Sequence, residues 1–185
     1  MTKFDPQRSW IAVEERAREE TNSRHKAMLT VVRDHLDHEI SGRLDELMGT
    51  LCAHPTHHIY GNNPMTINGA AGLRAFYEAM ITGGSNQFEV VVEKVIVDDE
   101  NVVTEGQLNT VYRGGDMAAM DMTEINGEPI DPEGLYLTST QLITVWPIDD
   151  DCLLQGEDIY LAGNPFDACV KITAADVPQG FGAGK

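Results

Sequence analysis

HLDHEISGRLDELMGTLCAHPTHHIYG, residues 35–61, carries the chain out of a long helix, through a short one and into a strand. Upstream, Asn22 or Ser23 can cap a helix over 24–40. Its residues Met28, Val32, His35, Leu36 and Ile40 fall on one side at a 3.6-residue period. Ser41-Gly42 ends that helix. Leu44, Leu47, Met48 and Leu51 mark the buried face of a short third helix, and residues 56–60 read as a strand. On the N-terminal side, Asp5-Pro6 opens a first helix running to about residue 20. On the C-terminal side, residues 65–67 complete a hairpin around Gly61-Asn62-Asn63-Pro64. Asn68-Gly69 then leads into a fourth helix, with Leu73, Phe76, Tyr77, Met80 and Ile81 as its apolar stripe and Gly83-Gly84 as its stop.

The second half reads as strands over 88–97, 102–113, 135–145 and 152–161, joined by turns at 98–101 and 147–151. No helix separates these strands, so neighbours are expected to pair antiparallel. The fold class is therefore α+β, a bent antiparallel sheet wrapped around N-terminal helices. Residues 114–134 and the tail after Gly163 read as irregular. The chain divides into an N-terminal extension helix (1–23), one α+β domain (24–163) and a C-terminal tail (164–185).

Composition narrows the function classes. The 185 residues are 42% hydrophobic, enough for one sizeable core. Thirty acidic against 13 basic residues leave a net charge of -17, which repels phosphate backbones and anionic lipid. No nucleic-acid or membrane partner is expected. Cys52, Cys152 and Cys169 are odd in number and widely spaced, which fits a reducing compartment better than a disulfide framework or a structural zinc site. No stretch approaches the roughly 20 apolar residues of a membrane span. The start, MTKFDPQRSW, lacks the apolar core of a signal peptide, and the expected location is cytoplasmic.

Three passages in this order resemble the SnoaL-like branch of the nuclear transport factor 2-like superfamily. They are the stretch quoted above, INGAAGLRAFYEAM (67–80) and TVWPIDDDCLLQGEDIY (144–160). The branch includes ketosteroid isomerase, polyketide cyclases, limonene epoxide hydrolase and scytalone dehydratase. The resemblance spans about residues 25–161. It implies a cone, a strongly bent sheet closed on one side by helices around an apolar pocket, with no metal or organic cofactor and a homodimer formed through the outer sheet face. It says little about the reaction, because the fold hosts many chemistries.

All six histidines lie between His25 and His58. The resemblance sets His35 near the tyrosine that donates to the oxyanion in ketosteroid isomerases, and Tyr60 near their catalytic aspartate. Alternation then puts His58 beside Tyr60 on the cavity face and His57 with Ile59 on the other. On the last strand, Glu157 and Asp158 point to opposite faces. The resemblance favours Asp158 as the acid/base, as in the polyketide cyclases, with Glu157 in reserve. His58, Tyr60, Asp158 and His35 are thus the expected catalytic group. Phe76, Glu105, Glu157, Met117 and Met120 are expected to contact substrate, the two methionines from a lid within 114–134. The alternatives are wall residues at His58 and Tyr60, a solvated face carrying Glu105, Gln107 and Asn109, and an interface at 114–134. A metal site is not expected, since His35 and His38 are three residues apart and no zinc-enzyme motif occurs.

Together these readings predict a cofactor-independent acid–base enzyme, lyase or isomerase, acting on a small, largely apolar oxygenated molecule. The alternative is a ligand carrier or dimeric adaptor of the same fold.

Overall fold

The computed structural model describes residues 3–61 and 63–181. Met1, Thr2, Asn62 of the expected 61–64 turn, and residues 182–185 of the tail lie outside the described residues. A 3-10 turn at Pro6–Arg8 precedes α1 (Ile11–Glu19). Ser9 divides the single helix expected here, because its hydroxyl donates to Pro6 O and accepts from Val90 N–H. Next come α2 (Ser23–Ile40), α3 (Leu44–Met48), β1 (Leu51–Tyr60), β2 (Met65–Asn68) and α4 (Gly69–Gly83). The Asn22 side chain caps α2 by accepting from the N–H groups of Arg24 and His25. The second half runs β3 (Phe88–Val97), β4 (Asn101–Arg113), α5 (Gly114–Ala119), β5 (Glu124–Ile125), β6 (Glu128–Pro129), β7 (Leu135–Pro147), β8 (Leu154–Ala162) and β9 (Val170–Ile172).

The main sheet has the order β2-β1-β8-β7-β4-β3, with β9 added beside β7. Its hairpin neighbours are antiparallel, as expected, but β1 and β8 run parallel, so the sheet is mixed. About half of the chain, residues 61–153, connects those two strands, and no hairpin dictates their relative direction. The sheet is bent rather than closed. Between Leu51 and Thr56 of β1 the partner strand advances only from Leu154 to Gly156. Gly156 adopts φ +141°, and a Cβ there would overlap the Thr56 carbonyl oxygen, so glycine is required at this bend.

α2 and α4 fill the concave side. Met28, Leu29, Val32 and Leu36 of α2 pack with Leu73 and Tyr77 of α4 against Val102, Trp146 and Leu154 of the sheet. Each large apolar side chain buried there contributes about 1.5–3 kcal/mol. Leu51, expected on α3, instead opens β1 with its side chain in this core.

The two stretches read as irregular are ordered. In 114–134, α5 is followed by the small β5–β6 hairpin, and Gly114 N–H and Gly115 N–H bond back to Gly134 O and Pro132 O. Met117 is fully buried with Tyr136 and Cys169 in a core of its own. It therefore forms no lid, because the folded-back loop draws it inward. In the tail, β9 pairs with β7, and Ile172 and Val177 bury Phe4, whose N–H bonds Asp176 O. No helix of the described residues is long and apolar enough to cross a membrane.

Candidate active site

A cavity of about 200 Å³ lies between α2, α4 and the concave face of the sheet. Its wall is mostly apolar, with Phe76, Met80, Leu142 and Trp146 prominent, and its polar groups come from His57, Glu39, Glu157, Tyr77, Thr104 and Thr144. These side chains converge for simple reasons of period. His35 and Glu39 are one helical turn apart on the buried face of α2, and Tyr77 lies on the apolar stripe of α4. His57 and Glu157 are register partners on β1 and β8, with Ile59, Ile159 and Leu161 on the same inner face.

The polar groups form one network. The Thr50 hydroxyl donates to Leu47 O at 2.7 Å and so accepts from His35 Nδ1–H at 2.6 Å. His35 Nε2 then faces the Tyr77 hydroxyl at 3.0 Å and Glu157 Oε1 at 3.1 Å. Tyr77 donates to the same Glu157 oxygen at 3.1 Å. His57 Nδ1 lies 3.5 Å from the Tyr77 hydroxyl and 3.6 Å from Glu157 Oε1. His57 Nε2 is buried without a hydrogen-bond partner among the described residues. Such a nitrogen is costly to hold in a dry wall unless something else engages it.

Burial and charge separate the acids. Burial works to raise the Glu157 pKa, but the neighbouring His57 and His35 and the Tyr77 hydrogen bond outweigh it, and the carboxyl stays below its ordinary value. Glu39 is pushed well above its ordinary value by burial and then by the charge of Glu157. Tyr77 is raised by burial first and then by the neighbouring acids Glu157 and Glu39. His57 is lowered by burial, with Glu157 opposing, which favours its neutral form. The shifts thus favour the charged form at Glu157 and the neutral forms at Glu39 and His57.

The expected catalytic group does not converge here. His58 and Asp158 are register partners like His57 and Glu157, but they lie on the outer face. His58 Nδ1 meets the Thr66 hydroxyl at 3.2 Å, and Tyr60 stacks on Tyr160 with ring centroids 4.6 Å apart. The phase was carried over from a distant resemblance, and a shift of one residue turns every side chain to the other face. The apolar partners show the phase: Ile59 on β1, and Ile159 with Leu161 on β8, select His57 and Glu157 as inward. His35 is fully buried behind the wall, bonded to Glu157. Phe76 and Glu157 line the cavity as expected. Glu105 does not. It lies on the outer face, bonded to Lys94 Nζ at 2.7 Å and Gln141 Nε2 at 3.2 Å. Met120 is exposed and borders a separate, larger hollow. Glu39 and His57 were missed, although Glu39 shares the helix face of His35. Among the described residues no cluster of His, Cys, Asp and Glu is arranged to hold a metal ion.

No curated protein sequence matches the chain. The fold superposes on a protein described as a SnoaL-like polyketide cyclase from Jannaschia sp. CCS1, with TM-score 0.57 and 18% identity over 81% of this chain and 98% of that one. An NTF2-like protein from Burkholderia xenovorans LB400 gives 0.52 and 13%, over 75% and 91%. The epoxide hydrolase/cyclase-like enzyme SalBIII, which has a role in pyran ring formation in the polyether salinomycin, gives 0.50 and 12%, over 82% and 95%. Identities this low carry the fold and not the reaction. The sequence pattern of the SnoaL-like domain matches residues 32–130, more than half of the chain, from the middle of α2 to β6, and the chain belongs to the SnoaL-like domain family.

Proposed function

We propose that the protein is a cofactor-independent acid–base enzyme, a lyase or isomerase, acting on a small and largely apolar carbonyl compound held in the cavity. The observation that carries this reading is His57: a buried imidazole in an apolar wall, with Nδ1 turned to Glu157 and Tyr77 and Nε2 without a partner. With its proton on Nδ1, His57 has a lone pair on Nε2 to take a proton from the carbon next to a carbonyl. The charge of Glu157, with Oε1 3.6 Å from His57 Nδ1, favours that tautomer and stabilises the imidazolium as it forms. Glu39, kept protonated by burial, supplies a hydrogen bond to the oxygen where negative charge develops. Return of the proton from His57 at another carbon completes an isomerisation, and its transfer to a β-hydroxyl, which then leaves as water while the enolate electrons form the C=C bond, completes an elimination. Proteins of this fold named as a ketosteroid isomerase (Kribbella flavida, 9% identity) and a polyketide cyclase (Jannaschia sp., 18%) show that the fold is compatible with such chemistry. We propose a cytoplasmic homodimer paired through the outer sheet face, where Tyr60, Met65, Ile143 and Tyr160 are exposed.

Proton abstraction is testable without the natural substrate. In deuterium oxide, the protein should exchange the α-protons of at least one of menthone, carvone and cyclohexanone faster than buffer, read by proton NMR. His57→Gln should abolish the excess. A ketone that raises the melting temperature while no member of the panel exchanges would instead mark a ligand-binding protein.

A further inference from the structure

Next to the inner cavity lies a second chamber of about 350 Å³, where β1, β4, β7 and the 163–166 segment meet. The two share Ile59, Leu108 and Leu161 as walls. A third hollow of about 500 Å³ shares Phe88 and Leu108 with the inner cavity. Leu108, on the concave face of β4, borders all three spaces.

The second chamber differs chemically from the first. In a chain with 30 acidic and 13 basic residues, its described lining holds no charged side chain. Its polar groups are hydroxyls and amides, among them those of Tyr60, Asn63, Tyr112, Thr138, Thr140 and Asn164. The Thr138 hydroxyl donates to Thr110 O at 3.2 Å and the Thr140 hydroxyl to Ala162 O at 2.7 Å. With those protons committed to the backbone, the oxygens are left as acceptors for the hydroxyl protons of a ligand. Tyr112 and Phe166, with ring centroids 5.3 Å apart, add an aromatic wall suited to C–H faces. An anionic group would find no cation in this lining and would meet a chain of charge -17.

We infer that this chamber is a subsite for an uncharged, hydroxyl-rich group of the ligand, entered past Leu108 from the apolar inner cavity. The ligand is therefore amphipathic, with an apolar end beside His57 and a glycosyl- or polyol-like distal end. The apolar end is the reacting end only on the catalytic reading above; the subsite itself does not depend on it. Leu108, the shared wall, lies four strand positions from Thr104 and four from Tyr112, roughly 13 Å each way at the usual rise, within reach of one extended molecule.

Calorimetry with two ligands that share a tail tests the subsite. Below its micellar concentration, octyl glucoside should bind at least tenfold more tightly than octanol, and octyl sulfate more weakly than the glucoside. Tyr112→Phe combined with Thr138→Val should reduce the advantage of the glucoside to less than threefold while leaving octanol affinity unchanged. Leu108→Trp, with its fold checked by circular dichroism, should weaken the glucoside at least tenfold. Equal affinity of glucoside and octanol, or no binding of the glucoside, overturns the subsite. So does an advantage that survives the double variant, or one removed by Met120→Trp in the third hollow. Absence of proton exchange with glucoside binding intact overturns the catalytic reading alone.

Discussion

Two histidine–acid pairs sit side by side on the same two strands, His57 with Glu157 and His58 with Asp158. Their chemistry is alike and their surroundings are not. The first pair is buried beneath α2 and α4 and joined to His35 and Tyr77; the second lies on the outer face beside Thr66 and the Tyr60–Tyr160 stack. In the dry interior, burial and mutual charge move pKa values apart and leave a ring nitrogen unpartnered. On the outer face, water screens the same charges. The two pairs differ in depth and not in residue type.

The largest test of that contrast is kinetic. His57→Gln should lower proton exchange by about 100- to 10,000-fold, the usual worth of a positioned base, whereas His58→Gln should change it less than about twofold. Comparable losses in both would erase the distinction between the two faces. The rate should also fall in acid as His57 takes a proton at its lowered pKa, and fall in base as Glu39 loses one at its raised pKa. A pH–rate profile reads both limbs.

Next in size is the bend that brings the inner pair together. Gly156→Ala forces a Cβ onto the Thr56 carbonyl in a backbone conformation unfavourable to alanine. It should cost upwards of about 2 kcal/mol, and urea unfolding would show it. Gly83→Ala, at the end of α4, meets no atom within 4 Å and should be nearly neutral.

Glu39 allows a smaller and more selective test. Its carboxyl is raised when folded, so above the ordinary carboxyl range the folded chain keeps a proton that the unfolded chain has lost. Stability from this group therefore declines as pH rises through that window. Glu157 has the opposite sign: its lowered value contributes stability above the ordinary range, lost as pH falls through the folded value. Glu39→Gln should raise the melting temperature at pH 8 by about 2–4 °C for each kcal/mol recovered, and by less at pH 5. A rise of the same size at both pH values would mean that the carboxyl is not held protonated.

How much of this was legible follows from period. The helices α2 and α4 could be read because their apolar residues repeat at 3.6, and the strands β3, β4 and β7 because long runs rich in β-branched and aromatic residues are bounded by turn residues. The inner face of β1 was harder, because His57, His58 and Tyr60 can each stand inside or outside and only Ile59 breaks the tie. On β8 the alternation Glu157, Ile159, Leu161 was readable, but it was outweighed by a distant resemblance that cannot hold register to one residue. The parallel pairing of β1 with β8 had no local signal at all, since it is set by packing across the whole chain. Met117 looked mobile because methionine is flexible, and only the closure of 114–134 by its backbone hydrogen bonds shows why it is buried.

The smallest effects belong to the outer face, and they carry information about assembly. Tyr60 and Tyr160 stack with an interplanar angle of 13°, yet each remains more than 40% exposed in the single chain. A cross-strand aromatic pair of this kind contributes about 0.5–1.5 kcal/mol. Tyr160→Ala should therefore destabilise an isolated chain by no more than that and leave proton exchange through His57 untouched. If the outer face is the seam of a homodimer, the same substitution removes aromatic area buried between two copies, and its cost should grow with protein concentration. Sedimentation at two concentrations, alongside unfolding of Tyr160→Ala, separates the cases. A wild-type chain that sediments only as a monomer, with a concentration-independent cost, leaves the stack as a sheet ornament and removes the dimer without touching the inner site.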